Sequence, residues 1–264
     1  MQGSVVIPGG AVYLEMGMAA ANAVYGADFS VDNVVLHRAV ILDQTCDPPI
    51  LRTTLNEADG TLEFSAFTAT ADGESKWVIT ATAELNVLPP APPQPQAAVD
   101  SSEPVVSISG EEFYLRTESI GFDYGDAFRT VRGGVTAGED WATADIAVPD
   151  SIGDELSRFR FHPALIDGAF QALFGAPFLG QEENEDPFLP TRIRRCAVYG
   201  APEPAMTVHV HVVSVTREQV DCDLTITGSA GQPPRRHRGL RCPIAERVGA
   251  NVTRPNRQGG AQQH

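Results

Sequence analysis

Positive charge is scarce in this sequence. Lysine and arginine total 19 against 34 aspartates and glutamates, giving a net charge of -15. Nonspecific nucleic-acid binding needs clustered positive charge, so the balance argues against it while leaving room for a local basic patch. Long apolar runs are also missing: none approaches the roughly 20 residues of a membrane helix, so no membrane partner is expected. The opening MQGSVVIPGG lacks the basic stretch and long apolar core of a secretory leader. Cys46, Cys196, Cys222 and Cys242 are the only cysteines, and none forms a CxxC pair. That spacing predicts neither a zinc site nor a disulfide framework, and a reduced, cytoplasmic setting is the default. No GxxxxGK[ST] loop, GxGxxG, GxSxG elbow or HExxH occurs. Nucleotide, nicotinamide and metal-hydrolase chemistry therefore have no foothold.

The composition that remains is that of an ordinary folded protein, 42% apolar and 20% charged. The 264 residues suffice for one large domain or two small ones. Two biased stretches divide them. Residues 89–98 read PPAPPQPQAA, an extended Pro-rich linker, and residues 249–264 are polar and Gly-rich, a tail expected to be disordered. The expected organisation is a first unit over 1–88, a linker over 89–103, a second unit over 104–248 and the tail over 249–264.

Each unit offers one apolar helix and a set of strands. After the short run Ser4–Ile7, Pro8 and Gly9 introduce a helix over Ala11–Ala23. It is apolar on most faces, so it is expected to be buried, with Glu15 in need of a hydrogen-bonding partner. Strands are predicted over Asn33–Leu42, Ile50–Asn56, Thr61–Ala69 and Lys76–Val87, with Asp-Gly turn signals at Asp59-Gly60 and Asp72-Gly73. In the second unit Glu111–Arg116, Phe128–Ala137 and Trp141–Ala147 read as strands. A helix opens at Pro163 and runs to about Phe174. Strands follow over Arg192–Tyr199, Met206–Val215, Asp221–Gly228 and His237–Ile244. Corresponding elements recur roughly 155–160 residues apart, which predicts a duplicated helix-in-sheet unit.

Three stretches resemble the dehydratase domains of modular polyketide synthases. The first is Gly3-Ser4-Val5-Val6-Ile7-Pro8, similar to the family's His-x-x-x-Gly-x-x-x-x-Pro. The second is His162-Pro163-Ala164-Leu165-Ile166-Asp167-Gly168-Ala169-Phe170-Gln171, similar to His-Pro-x-x-x-Asp-x-x-x-Gln. The third is Gly121-Phe122-Asp123-Tyr124-Gly125-Asp126-Ala127-Phe128, where the family has Gly-Tyr-x-Tyr-Gly-Pro-x-Phe. Phe122 and Asp126 depart from that pattern. Leu189-Pro190 is similar to the Leu-Pro that opens the strand after the second helix. The order and spacing of these motifs span about residues 1–248.

The resemblance implies an α+β double hotdog, two antiparallel sheets each wrapped around one long buried helix. It implies loss of water from a 3-hydroxyacyl thioester to give a 2,3-enoyl thioester. The acyl group rides on the phosphopantetheine of an acyl carrier protein, and the domain itself holds no cofactor and no metal. Asp167 is the implied general acid, Gln171 orients it, and Tyr124 supplies a hydroxyl near the substrate. Gly3, Pro8, Gly125, Phe128, Pro163, Leu189 and Pro190 are the implied substrate-side positions. Other synthase domains are the implied partners, and the family suggests a homodimer. The family's histidine base would stand four residues before Gly3, upstream of Met1. None of the six histidines, His37, His162, His209, His211, His237 and His264, occupies that position. The expectation is a truncated first unit with its helix partly uncovered, lower solubility, and little or no dehydration by this chain alone. The alternatives are a non-catalytic remnant or structural module, and a dehydratase-like double-bond isomerase or cyclase.

The chemistry fits the residue types. A thioester acidifies its Cα proton only moderately, so a positioned base must remove it, and hydroxide leaves only if an acid protonates it. Leu165, Ile166, Ala169 and Phe170 supply an apolar surround that would raise the pKa of Asp167. Gln171 follows Asp167 by one helical turn and shares its face. The plainer reading of Asp167 is a charge favourably placed near a helix N-terminus. His162 is expected to pack or hydrogen-bond where that helix begins. His209 and His211 share a strand face but lack a third ligand. Arg192, Arg194 and Arg195, with Arg235, Arg236, Arg238 and Arg241 on a strand expected to lie beside theirs, form a candidate docking surface for an acidic carrier protein. The alternative is an ordinary solvated strand face.

Overall fold

The computed structural model describes residues 5–42, 48–69, 74–88, 103–176, 189–216, 219–228 and 240–245. After strand β1 (Val5–Val6) comes helix α1 (Gly9–Tyr25), which buries Gly10, Ala11, Tyr13, Leu14, Glu15, Gly17, Met18 and Ala21. The small residue at Gly17 lets α1 lie directly on Val31 and Leu62 of the sheet. Gly26 ends the helix in the left-handed conformation, φ 63°, and its N–H donates to the Asn22 carbonyl. Strands β2 (Phe29–Leu36), β3 (Ile41–Leu42), β4 (Ile50–Leu55), β5 (Thr61–Ala69) and β6 (Ser75–Val87) complete the first half.

The second half contains β7 (Val106–Ile108), α2 (Gly110–Ser119), a 3-10 turn (Asp126–Phe128), β8 (Val131–Ala137) and β9 (Trp141–Ala147). A 3-10 segment (Asp150–Arg158) leads to α3 (Pro163–Gln171), and a further 3-10 turn (Ala172–Gly175) follows it. Strands β10 (Arg192–Val198), β11 (Ala205–Val215), β12 (Val220–Gly228) and β13 (Leu240–Ala245) end the described chain.

The sheets of the two halves meet edge to edge. β2 and β10, each the strand of the main sheet that follows its half's buried helix, pair antiparallel with Val34 opposite Ile193 and Val31 opposite Cys196. The result is one 11-stranded antiparallel sheet, ordered β4-β5-β6-β2-β10-β13-β12-β11-β9-β8-β7, with a separate β1-β3 ribbon. One end wraps α1 and the other wraps α3, and the two helices pack on each other. This is the expected double hotdog. No described helix is long and apolar enough to cross a membrane.

Two polar clamps hold the halves together. The Glu15 carboxylate of α1 accepts the backbone N–H groups of Arg160 (2.8 Å) and Phe161 (2.9 Å), just ahead of α3. Burial raises the pKa of Glu15, and those donors oppose the rise. The Arg160 side chain also pairs with Asp28. At the β2–β10 seam, Oδ2 of buried Asp32 accepts from Nε and Nη2 of Arg195 (2.9 and 2.8 Å) and from Nδ2 of Asn86 (3.1 Å).

Several elements differ from the sequence reading. Glu111–Arg116 is not a strand but part of α2. Ser109 caps that helix by accepting the Glu112 N–H at 3.2 Å, Glu111 and Glu112 occupy the first turn, and Arg116 pairs with Glu112 one turn earlier. The strand placed at Asn33–Leu42 starts four residues earlier, at Phe29, and breaks after Leu36. Asn33 adopts φ 52° at a bulge between Asp32 and Val35, and its amide donates to Glu84 at 2.9 Å. The strand expected from Phe128 begins only at Val131. The helix expected to reach Phe174 tightens to 3-10 after Gln171. β7 and the Asp150–Arg158 segment were not expected. Residues 89–102 of the linker, the tail and the Asp72-Gly73 turn lie outside the described residues.

Candidate active site

α3 begins where His162 and Pro163 make beginning easy. Pro163 occupies the first turn, where its missing N–H costs nothing. His162 sits at the cap, and its Nδ1 accepts the Ala164 N–H at 3.1 Å. That bond requires an unprotonated Nδ1, so the ring is neutral with its proton on Nε2. Burial lowers the pKa of His162 further in the same direction, and Phe159 packs on the ring edge-on. His162 is thus a structural cap.

Asp167 lies one turn further along α3. It is only 9% exposed, between the fully buried Leu165, Ile166 and Ala169 and the nearly buried Phe170. Burial pushes its pKa up to about 6, while the bond from Gln171 pulls the other way. Gln171 is fully buried, and its Nε2 donates to Asp167 Oδ2 at 2.7 Å and to the Phe128 carbonyl at 2.9 Å. A carboxyl with that pKa is partly protonated near neutrality and can serve as an acid.

Tyr124 reaches the same place from the loop before the 3-10 turn. Its hydroxyl is held un-ionised, first by burial, then by the nearby charge of Asp167 and the neighbouring Tyr114. The Tyr124 carbonyl accepts Nε of Arg129 at 2.8 Å, and Arg129 also pairs with Glu118 at 2.6 Å. Phe122 stacks beside Tyr124 and leans on Phe174, so an aromatic wall runs from Tyr114 through Tyr124 and Phe122 to Phe174.

The site's close packing depends on Gly168. A Cβ there would stand 2.2 Å from Oγ1 of Thr130 and 3.7 Å from Ile146. The missing side chain brings α3 against Thr130, just ahead of β8, and against β9, and fixes how far Asp167 projects. Gly168→Ala should therefore cost about 1–3 kcal/mol by overpacking. Chemical denaturation of the variant measures this; a midpoint equal to the parent's would show that α3 has room to move.

The other expected positions divide. Phe128 contributes its carbonyl to Gln171, and Gly125 precedes the 3-10 turn in extended conformation. Pro8 caps α1. Pro190 lies near Gly10 on α1, as does Phe170 of α3. Leu189 is exposed at 40%. Gly3 lies outside the described residues, as do Arg235, Arg236 and Arg238. Of the expected docking cations, Arg192 is exposed, Arg194 stands 3.8 Å from Asp221, and Arg195 is committed to Asp32. β10 and β13 are neighbours, as expected.

One residue of the acid cluster escaped the sequence reading. Tyr114 of α2 donates its hydroxyl proton to Gln171 Oε1 at 3.0 Å and accepts the Val131 N–H at 2.9 Å. The signal was present in Ser109-x-x-Glu112, a capping-box spacing that marks a helix start and not a strand.

Comparison with known proteins agrees with this geometry. Residues 90–251 match the family model described as polyketide synthase dehydratase N-terminal domain, and residues 1–69 match that of the polyketide synthase dehydratase domain. The phthioceranic/hydroxyphthioceranic acid synthase of Mycobacterium tuberculosis is 27% identical over 229 residues, covering 84% of this chain and 10% of the synthase. Polyketide synthase PksN of Bacillus subtilis is 28% identical over 196 residues, 71% of this chain and 4% of its own length. The chain thus spans a tenth or less of these relatives. Among solved structures, the dehydratase domain from the CurJ module of curacin polyketide synthase superposes with a TM-score of 0.77 at 18% identity, covering 94% of this chain and 84% of that one. The dehydratase domain of a mycocerosic acid synthase-like polyketide synthase gives 0.71 at 23%, covering 93% and 83%. By fold, motif order and family match together, the chain belongs to the polyketide synthase dehydratases.

Proposed function

We propose that the domain removes water from a 3-hydroxyacyl thioester, delivered on the phosphopantetheine of an acyl carrier protein, to give the 2,3-enoyl thioester. The observation that carries this reading is Asp167, a buried carboxyl with its pKa raised to about 6 and one oxygen held by Gln171. Such a group protonates the departing hydroxyl as the Cα–H bond breaks and its electrons form the new double bond. The leaving oxygen departs as water. The Cα proton goes to a base, a histidine in this family, and His162 cannot fill that role while its Nδ1 caps α3. Tyr124 presents its un-ionised hydroxyl to the same substrate, and the aromatic wall lines the acyl side. As a polyketide synthase dehydratase domain it works beside other domains of such a synthase. The carrier protein as partner and a homodimeric state belong to this proposal.

The test is formation of 2-enoyl thioester from a 3-hydroxyacyl pantetheine thioester, with and without a carrier protein. In a chain extended upstream to carry the family's histidine, Asp167→Asn should lower that rate by about 10²–10⁴ fold, the usual worth of a positioned acid. An undiminished rate would remove Asp167 from the chemistry. A product with a shifted double bond or a closed oxygen ring would replace dehydration with the isomerase or cyclase reading.

A further inference from the structure

Tyr114 comes from a different element than the acid it serves, and the acid–base chemistry above makes no use of it. Its hydroxyl is constrained from one side by the Val131 N–H, which can only donate, at 2.9 Å. The hydroxyl proton is therefore free for an acceptor. Gln171 Oε1 stands at 3.0 Å, closer than the Phe128 carbonyl at 3.5 Å. The far end of Gln171 is constrained independently. Its Nε2 lies 2.9 Å from the Phe128 carbonyl, which can only accept. Both constraints select one orientation of the amide, oxygen toward Tyr114 and nitrogen toward Asp167. The inverted amide would set its oxygen against the Phe128 carbonyl and 2.7 Å from Asp167 Oδ2, with no proton between them when the carboxylate is ionised.

We propose that Tyr114 is a positioning residue: by donating to Oε1 of Gln171 it locks the amide so that Nε2 donates to Oδ2 of Asp167, which leaves Oδ1 as the oxygen that carries the transferable proton. This deepens the reading of Asp167 as the acid and rests on it. Val131 N–H, Tyr114, Gln171 and Asp167 form one directional chain, each member donating to the next. Burial pushes the Tyr114 hydroxyl up to about 12, so it remains a donor through the whole range in which Asp167 titrates.

The test is the titration of Asp167, followed by carboxyl carbon NMR in protein labelled at aspartate and assigned by loss of the signal in Asp167→Asn. Tyr114→Phe keeps the ring that packs on Phe113, Tyr124 and Arg129 and removes only the hydroxyl. The freed amide donates less well to the carboxylate, so the Asp167 pKa should rise by roughly half a unit to one unit. In a Gln171→Ala background the same Tyr114 change should move it by nothing. A second probe, 3-fluorotyrosine placed at 114, keeps the fold and strengthens the donor, so it should lower the Asp167 pKa. An unmoved titration in Tyr114→Phe, with only a lower melting point, would reduce Tyr114 to packing. A shift that survives without Gln171 would equally overturn the proposal, because the effect would then be direct. The titration needs no turnover. A shifted pKa in a protein that forms no enoyl product leaves the positioning role standing and refutes only the proposed reaction. Dehydration with an unshifted titration does the reverse.

Discussion

Asp167→Asn is expected to raise the stability of this protein at pH 8 by about 3 kcal/mol, even as it destroys the proposed acid. The native pKa is about 6 against an ordinary carboxyl value of 3.8. Between those values the folded protein binds the proton more tightly than the unfolded chain does. Stability therefore falls as pH rises from about 4 to 6 and stays low above that, because ionising the buried carboxyl opposes folding. The shift is about two units, and each unit is about 1.4 kcal/mol. Asparagine does not ionise, and its amide oxygen can still accept the Gln171 bond. The variant should match the parent near pH 4, and its melting point should exceed the parent's by roughly 5–10 °C at pH 8. Thermal unfolding across pH 4–8 decides the matter: parallel curves for the two proteins would mean that Asp167 meets ample water. The gain would be a stability–activity trade-off, with the strain concentrated on the one group whose function needs it.

Glu15→Ala should be strongly destabilising, by roughly 2–5 kcal/mol, although no chemistry is assigned to this residue. Its two carboxylate oxygens are the acceptors for the Arg160 and Phe161 N–H groups. Removing them strands two backbone donors where the Phe161 side chain and Glu15 itself are buried, at about 1–3 kcal/mol each. Glu15→Gln keeps one acceptor and should lose about half as much. Because those donors immediately precede the His162 cap, the alanine variant should also lose hydrogen-exchange protection at the start of α3 before the rest of the sheet does. A loss within 0.5 kcal/mol, with α3 still protected, would show that water replaces the carboxylate at no cost.

The pairing of Asp167 with Gln171 could be found by eye because both lie on one helix, a single turn apart, behind a His-Pro start. The fold was legible for a similar reason: the two apolar helices and most strands carry their own periodicity, and the duplication repeats it. What stayed hidden was everything set by distant partners. Glu15 is visibly an oddity in an apolar helix, but its partners stand 145 and 146 residues away. Arg195 looks like a free surface cation until β2 and β10 pair and bring Asp32 beneath it. Tyr114 was lost with its helix, because the aromatic and apolar residues of Glu111–Arg116 imitate a strand when the cap at Ser109 is overlooked. The bulge inside β2 depends on one left-handed asparagine, which composition does not announce.

The ladder between β2 and β10 has a mechanical consequence. A molecule made of two similar lobes invites a clamshell picture, in which the lobes part to admit a substrate. Here the hydrogen-bonded sheet continues from lobe to lobe through β2 and β10, so parting them would tear its middle. Smaller pieces sit on that frame: the loop that carries Tyr124 is tethered by Arg129 to α2. The continuous frame fixes where Asp167 sits, and the neighbouring loop sets Tyr124 beside it.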